Sequence, residues 1–153
     1  MAAPAVAGTF SWSQPGDVTS SAQYGVQAWS YAPSLSYSSG FTGNGQTLAG
    51  YTDSSSSPSE WIAAPASGPL EMVPPAGKSV TLTWTSPFAS SKRITVSGSV
   101  LEPNEGKLLC DGTTWSLVSG STTIDNGLVP TITPQQVSVP AGGTIVLKVT
   151  DQS

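Results

Sequence analysis

Val80-Thr81-Leu82-Thr83-Trp84 alternates apolar and hydroxylated side chains with a period of two. In an extended chain successive side chains point to opposite faces, so Val80, Leu82 and Trp84 share one side and Thr81 and Thr83 the other. This spacing predicts a half-buried strand. Arg93-Ile94-Thr95-Val96-Ser97-Gly98-Ser99-Val100 repeats it, with Ile94, Val96 and Val100 inward and Gly98 at a close approach or a bulge. Residues 115–118, 136–139 and 144–149 read the same way. Turn vocabulary separates these runs: 87–91, Pro103-Asn104-Glu105-Gly106, Ser119-Gly120-Ser121, Asp125-Asn126-Gly127 and Pro140-Ala141-Gly142-Gly143.

Short strands recurring every 8–20 residues, with Gly or Pro between them, point to an antiparallel sandwich or barrel. The first half is less regular. Residues 9–13, 26–31, 35–41 and 60–62 are candidate strands, while Ser54-Ser55-Ser56-Ser57-Pro58 and 63–69 read as loops. No segment asks to be a helix, and no repeat or domain boundary is visible, so 1–153 is expected to be a single domain with residues 1–9 as an N-terminal arm.

Composition agrees. The 153 residues (15.5 kDa) suffice for one hydrophobic core without a metal or disulfide staple. Charged residues are 9% of the chain, far below the ordinary quarter, while Gly 16, Pro 13 and a Ser plus Thr content above a quarter take their place. A mucin-like stalk would not keep one face apolar over five strands, so the hydroxyls are expected to fill the outward faces. Five basic against nine acidic residues, a net charge of −4 and a pI near 4.4 supply no basic stripe for phosphates, which argues against nucleic acid. No apolar run is long enough to span a membrane. Histidine is absent, which removes the commonest general base, the usual catalytic triads and most zinc sites; the chain is expected not to be an enzyme and to need no cofactor. Cys110 is alone and reads as a small half-buried hydrophobe. The start, MAAPAVAGT, lacks both the basic and the apolar region of a signal peptide.

Several segments together resemble one family. Residues 80–87 followed by 94–100 are similar to the "RWTAP…TVSGSV" strand pair of the jelly-roll accessory domains of bacterial surface and glycan-degrading proteins, which resemble carbohydrate-binding modules. Asp111-Gly112-Thr113-Thr114-Trp115-Ser116-Leu117-Val118 is similar to their "GDGVxVxI" strand, and residues 137–145 to their "VxAGDTI". Ala28-Trp29-Ser30-Tyr31 is similar to their "WSYGY", and Glu60-Trp61 stands where they carry a loop tryptophan. The likeness covers residues 27–150 and implies an all-β, antiparallel β-sandwich of jelly-roll type. The family continues into one more strand where this sequence reaches Asp151-Gln152-Ser153, which implies a sheet edge left open or completed by a neighbour.

Sugar-binding modules lay aromatic faces on pyranose rings, so Trp61 with Tyr24, Tyr31, Tyr37 and Tyr51 form the candidate glycan surface. The residues themselves leave Trp61 open between loop anchor and exposed platform, and the tyrosines open between binding, covering a barrel end and facing another subunit. Trp84 and Trp115 keep strict alternation and are expected in the core. Glu102, Glu105 and Asp111 lie close in sequence, and Asp125 and Asp151 near turns; solvated loop charge is the plainer reading, with Asp111 kept as a calcium candidate.

Two functions survive. The first is a non-catalytic structural protein of a virus particle: a bacteriophage capsid decoration, head-fibre or tail surface protein. It would be made in the host cytoplasm without a signal peptide, sit on the virion surface, and associate with other virion proteins and with itself, as a trimer by analogy. The second is a carbohydrate-binding module that adheres to host glycans, a role that many copies on a particle would strengthen.

Overall fold

The computed structural model describes residues 29–31, 36–43, 46–53, 60–64, 71–74, 76–99, 113–127 and 131–151. Among them are eleven strands and no helix: β1 (Trp29–Tyr31), β2 (Ser36–Gly43), β3 (Gln46–Thr52), β4 (Trp61–Ala64), β5 (Glu71–Val73), β6 (Ser79–Thr85), β7 (Lys92–Ser99), β8 (Thr114–Ser119), β9 (Thr122–Gly127), β10 (Thr131–Val139) and β11 (Thr144–Thr150). They form a five-stranded sheet in the order β1-β6-β11-β8-β9, a four-stranded sheet β2-β3-β4-β5 and a two-stranded ribbon β10-β7. Every pairing is antiparallel. The arrangement is all-β and consistent with a β-sandwich.

Strand β6 behaves as its alternation requires. Val80, Leu82 and Trp84 are buried and Ser79, Thr81, Thr83 and Thr85 are half-buried on the other side. Its neighbour β11 registers Ile145 with Trp84 and Val149 with Val80, and β8 brings Trp115 opposite Val149 and Leu117 opposite Leu147. Ile62 from β4 and Ile132 and Val139 from β10 meet this face, so one core cluster draws on all three sheets. Each of these aliphatic side chains contributes about 1.5–3 kcal/mol by leaving water.

A second cluster lies on the other face of the four-stranded sheet. Residues 61 and 63 alternate with Ile62, and Trp61 and Ala63 join Leu48, with Phe41 and Val73 packed alongside. Strands β3 and β4 approach so closely that a Cβ at Gly50 would collide with the Ile62 carbonyl oxygen and would lie 2.7 Å from the Ala63 Cα. The β8–β9 hairpin turns through Gly120 and the β10–β11 turn through Gly142, at φ of 58° and 65°, where a side chain would be strained.

Several sequence expectations need correction. The loop expected over 63–69 begins later, because Ala63 and Ala64 belong to β4. Asp125-Asn126-Gly127 is not a turn but the end of β9, whose hairpin turn lies at Gly120 and Ser121. Strands β3 and β5 were not anticipated at all. The strand expected at 9–13, the turn at Pro103–Gly106 and the thiol of Cys110 lie outside the described residues.

The strands that end a sheet among the described residues each carry a feature that hinders further pairing. Strands β1 and β5 have three residues apiece, and Pro74-Pro75 follows β5. In β2, β9 and β10 the register shift inserts an extra residue on the outer strand: between Ser38 and Phe41, at Ile124, and between Ile132 and Gln135, where Pro134 stands. Strand β7 opens with exposed Lys92 and Arg93. Short length, bulges, proline and lysine are the devices by which β-proteins discourage edge-to-edge pairing.

Candidate functional site

Four residues of the candidate aromatic surface are described, three of them in the four-stranded sheet. Trp61 is a strand residue of β4 and only 6% exposed, its ring edge-on to Phe41 with centroids 6.2 Å apart and planes at 60°. Tyr51 in β3 is 8% exposed. Both rings are packed inside the protein, where burial of a large ring outweighs its display. Tyr31 lies in β1 at the register position of Leu82, and Tyr37 in β2 at that of Tyr51. Tyr24 and Asp111 lie outside the described residues. Trp84 and Trp115 are buried as expected, at 4% and 3% exposure.

Of the candidate acids, Asp125 and Asp151 are described. Glu102 and Glu105 lie outside the described residues. Asp125 takes a register position opposite Leu117, and its Oδ1 accepts the Asn126 N–H at 2.9 Å. The Asp151 N–H donates to the Lys78 carbonyl at 3.0 Å and closes the end of β11 on the turn before β6. Among the described residues no three metal-ligating side chains come together. Two buried carboxylates escaped the sequence reading: Glu60, 9% exposed, and Glu71, 6% exposed and paired in register with Ala63. Glu60 immediately precedes β4 and Glu71 opens β5, strands too short to show a period, so nothing in the sequence marked them as internal.

What the strands do assemble is a polar face. The side of the five-stranded sheet turned away from the core runs in straight cross-strand rows. Thr83, Val146, Val118 and Thr123 make one row; Thr81, Lys148, Ser116 and Asn126 make the next. Ser79 and Thr150 end the face with a hydroxyl–hydroxyl hydrogen bond of 2.8 Å. Lys148 is the one charged residue on this side among the described residues. The surface is thus an apolar pair, Val118 and Val146, set among hydroxyl and amide groups. Sequence alternation alone predicted the hydroxyls; the centring of the two valines required the register.

No family model matches the chain, and neither a curated protein nor a solved structure matches it.

Proposed function

We propose that the chain is a non-catalytic structural protein of a virus particle, a jelly-roll-type sandwich that acts as a bacteriophage capsid-decoration, head-fibre or tail surface protein. The observation that carries this reading is the character of the exposed surface. Among the described residues the exposed side chains are hydroxyl, amide and small apolar groups, and the exposed charges are Lys78, Lys92, Arg93 and Lys148. A surface with so few charges has little to desolvate when it meets a protein neighbour, and suits a domain that spends its life packed in an assembly. The absence of histidine supports a role without acid–base chemistry.

The same surface offers less to the alternative, a glycan-adhesion module. Of its candidate aromatics, Tyr51 and Trp61 are inside the protein. Sedimentation equilibrium of the purified chain, paired with a glycan array, tests the choice. The expected result is self-association that grows with concentration and no retention on the array. A monomer at every concentration up to about 1 mM, where a contact worth about 4 kcal/mol half-associates, overturns the particle reading. Retention on the array moves the chain to the adhesion reading.

A further inference from the structure

We infer that Asn126-Gly127, at the end of β9, is a modification site at which the folded chain converts slowly to isoaspartate as the strand end frays. The inference stands apart from the particle reading and needs no co-reactant but water.

Three features meet at this pair. Asn126 is exposed on the outer strand of the five-stranded sheet, and among the described residues its carboxamide has no hydrogen bond, so the side chain can turn back on its own main chain. The residue that follows has no Cβ to keep its nitrogen away from the Asn126 Cγ. Glycine is also fixed there by the backbone. Gly127 has a φ of 138°, which residues with a side chain rarely adopt, so the strand cannot end in this conformation with a bulkier residue after Asn126.

The chemistry balances. The Gly127 nitrogen attacks the Asn126 Cγ and gives up its proton, the carboxamide C–N bond breaks, and ammonia leaves as a succinimide ring closes. Water then opens the ring at one of its two carbonyls. Attack at the former main-chain carbonyl leaves isoaspartate, with the chain running through Cβ, and attack at Cγ leaves aspartate. The net change is water consumed and ammonia released.

The register sets the rate. The Asn126 N–H donates to Asp125 Oδ1 at 2.9 Å rather than to β8. Donors alternate in direction along an antiparallel strand, so the Gly127 N–H is the one turned toward its register partner Trp115. The nucleophile is held while this last rung is closed, and attack waits for the rung to open. Rungs at a strand end open at far less cost than those of a core strand. Isoaspartate then adds one atom to the main chain of β9 and a carboxylate to the row that holds Ser116 and Lys148, so the conversion loosens the strand end further.

Peptide mapping by mass spectrometry tests the site, on the full chain incubated at mildly alkaline pH both folded and in urea. The map reads residue 126 apart from Asn44, which also precedes a glycine. In the folded chain residue 126 is expected to gain the mass of an amide-to-acid exchange, more slowly than in urea but within about a hundredfold of that rate. Asn126→Gln, which would have to close a six-membered ring, is expected to show no conversion at this position while folding normally, since the residue is exposed. Folded conversion slower than that limit overturns the site, because only global unfolding would then release it. Equal rates in the two states overturn the control by the Trp115 rung.

Discussion

Thr52 of β3 and Trp61 of β4 stand directly opposite each other across the four-stranded sheet, and each buries a polar atom, Oγ1 and Nε1, that has no hydrogen-bond partner. Thr52 is 3% exposed. Both groups lie on the face that packs Leu48 and Ala63, so their desolvation is set against apolar packing alone. A buried hydroxyl without a partner costs about 1–3 kcal/mol.

Replacing Thr52 by Val keeps the shape and removes that cost. The expected outcome is a stabilisation of about 1 kcal/mol, read as a higher urea midpoint at unchanged slope. A variant less stable than the wild type would show that the hydroxyl is satisfied in solution.

The two faces of this sheet also explain which strands were legible in the sequence. Strands β6, β7 and β11 have one side in the core and one in solvent, and their alternation appears in the sequence as apolar against Thr, Ser or Lys. Strand β3 buries Leu48 on one face and Tyr51 on the other, with Gly50 and Thr52 also inside, so no period of two survives. Strand β9 fails for the opposite reason. Its Thr122, Thr123 and Asn126 are exposed, and Asp125-Asn126-Gly127 carries turn chemistry that the pairing with β8 overrides. For the aromatic residues the limit is different: a tryptophan beside a serine-rich stretch has the same local sequence whether it anchors a core or lies open, and only the second cluster decides for Trp61.

Trp61→Ala is therefore expected to act on stability. Removing a buried indole ring from its contact with Phe41 should lower the unfolding free energy by about 3–5 kcal/mol. The check is denaturant unfolding followed by far-ultraviolet circular dichroism. A variant of undiminished stability would return Trp61 to the surface and reopen the case for a sugar platform.

Gly50 and Gly120 should respond differently to the same added methyl. At Gly50 the new Cβ meets β4 backbone atoms, which cannot rotate away, so the strands must separate. Gly50→Ala is expected to cost about 3 kcal/mol or more. At Gly120 nothing lies within 4 Å and the penalty comes only from the positive φ of 58°, worth about 1–2 kcal/mol. Thermal melts of the two variants should rank them in that order; a Gly120→Ala variant less stable than Gly50→Ala would place the close approach of β3 and β4 in error.

Lys92 and Arg93 should protect the ribbon. Strand β7 pairs with β10 on one side, and among the described residues its other side is unpaired, with regular alternation through Ile94 and Val96 and no bulge of its own. Without the two cations this would be an uncharged edge of good β-forming residues, the combination that templates pairing with another chain. The double variant Lys92→Thr, Arg93→Thr keeps hydroxyl groups like those at Thr95 and Ser97 and alters little in the core, since both residues are exposed. Folding stability is expected to change by less than about 0.5 kcal/mol, whereas the rate of aggregation on mild heating should rise several-fold by light scattering. Pro134 and its bulge guard β10, so the effect should fall on β7 alone and be reversed by restoring a single lysine at position 92. Equal aggregation rates in the wild type and the double variant would show that the edge is protected by something other than its charge.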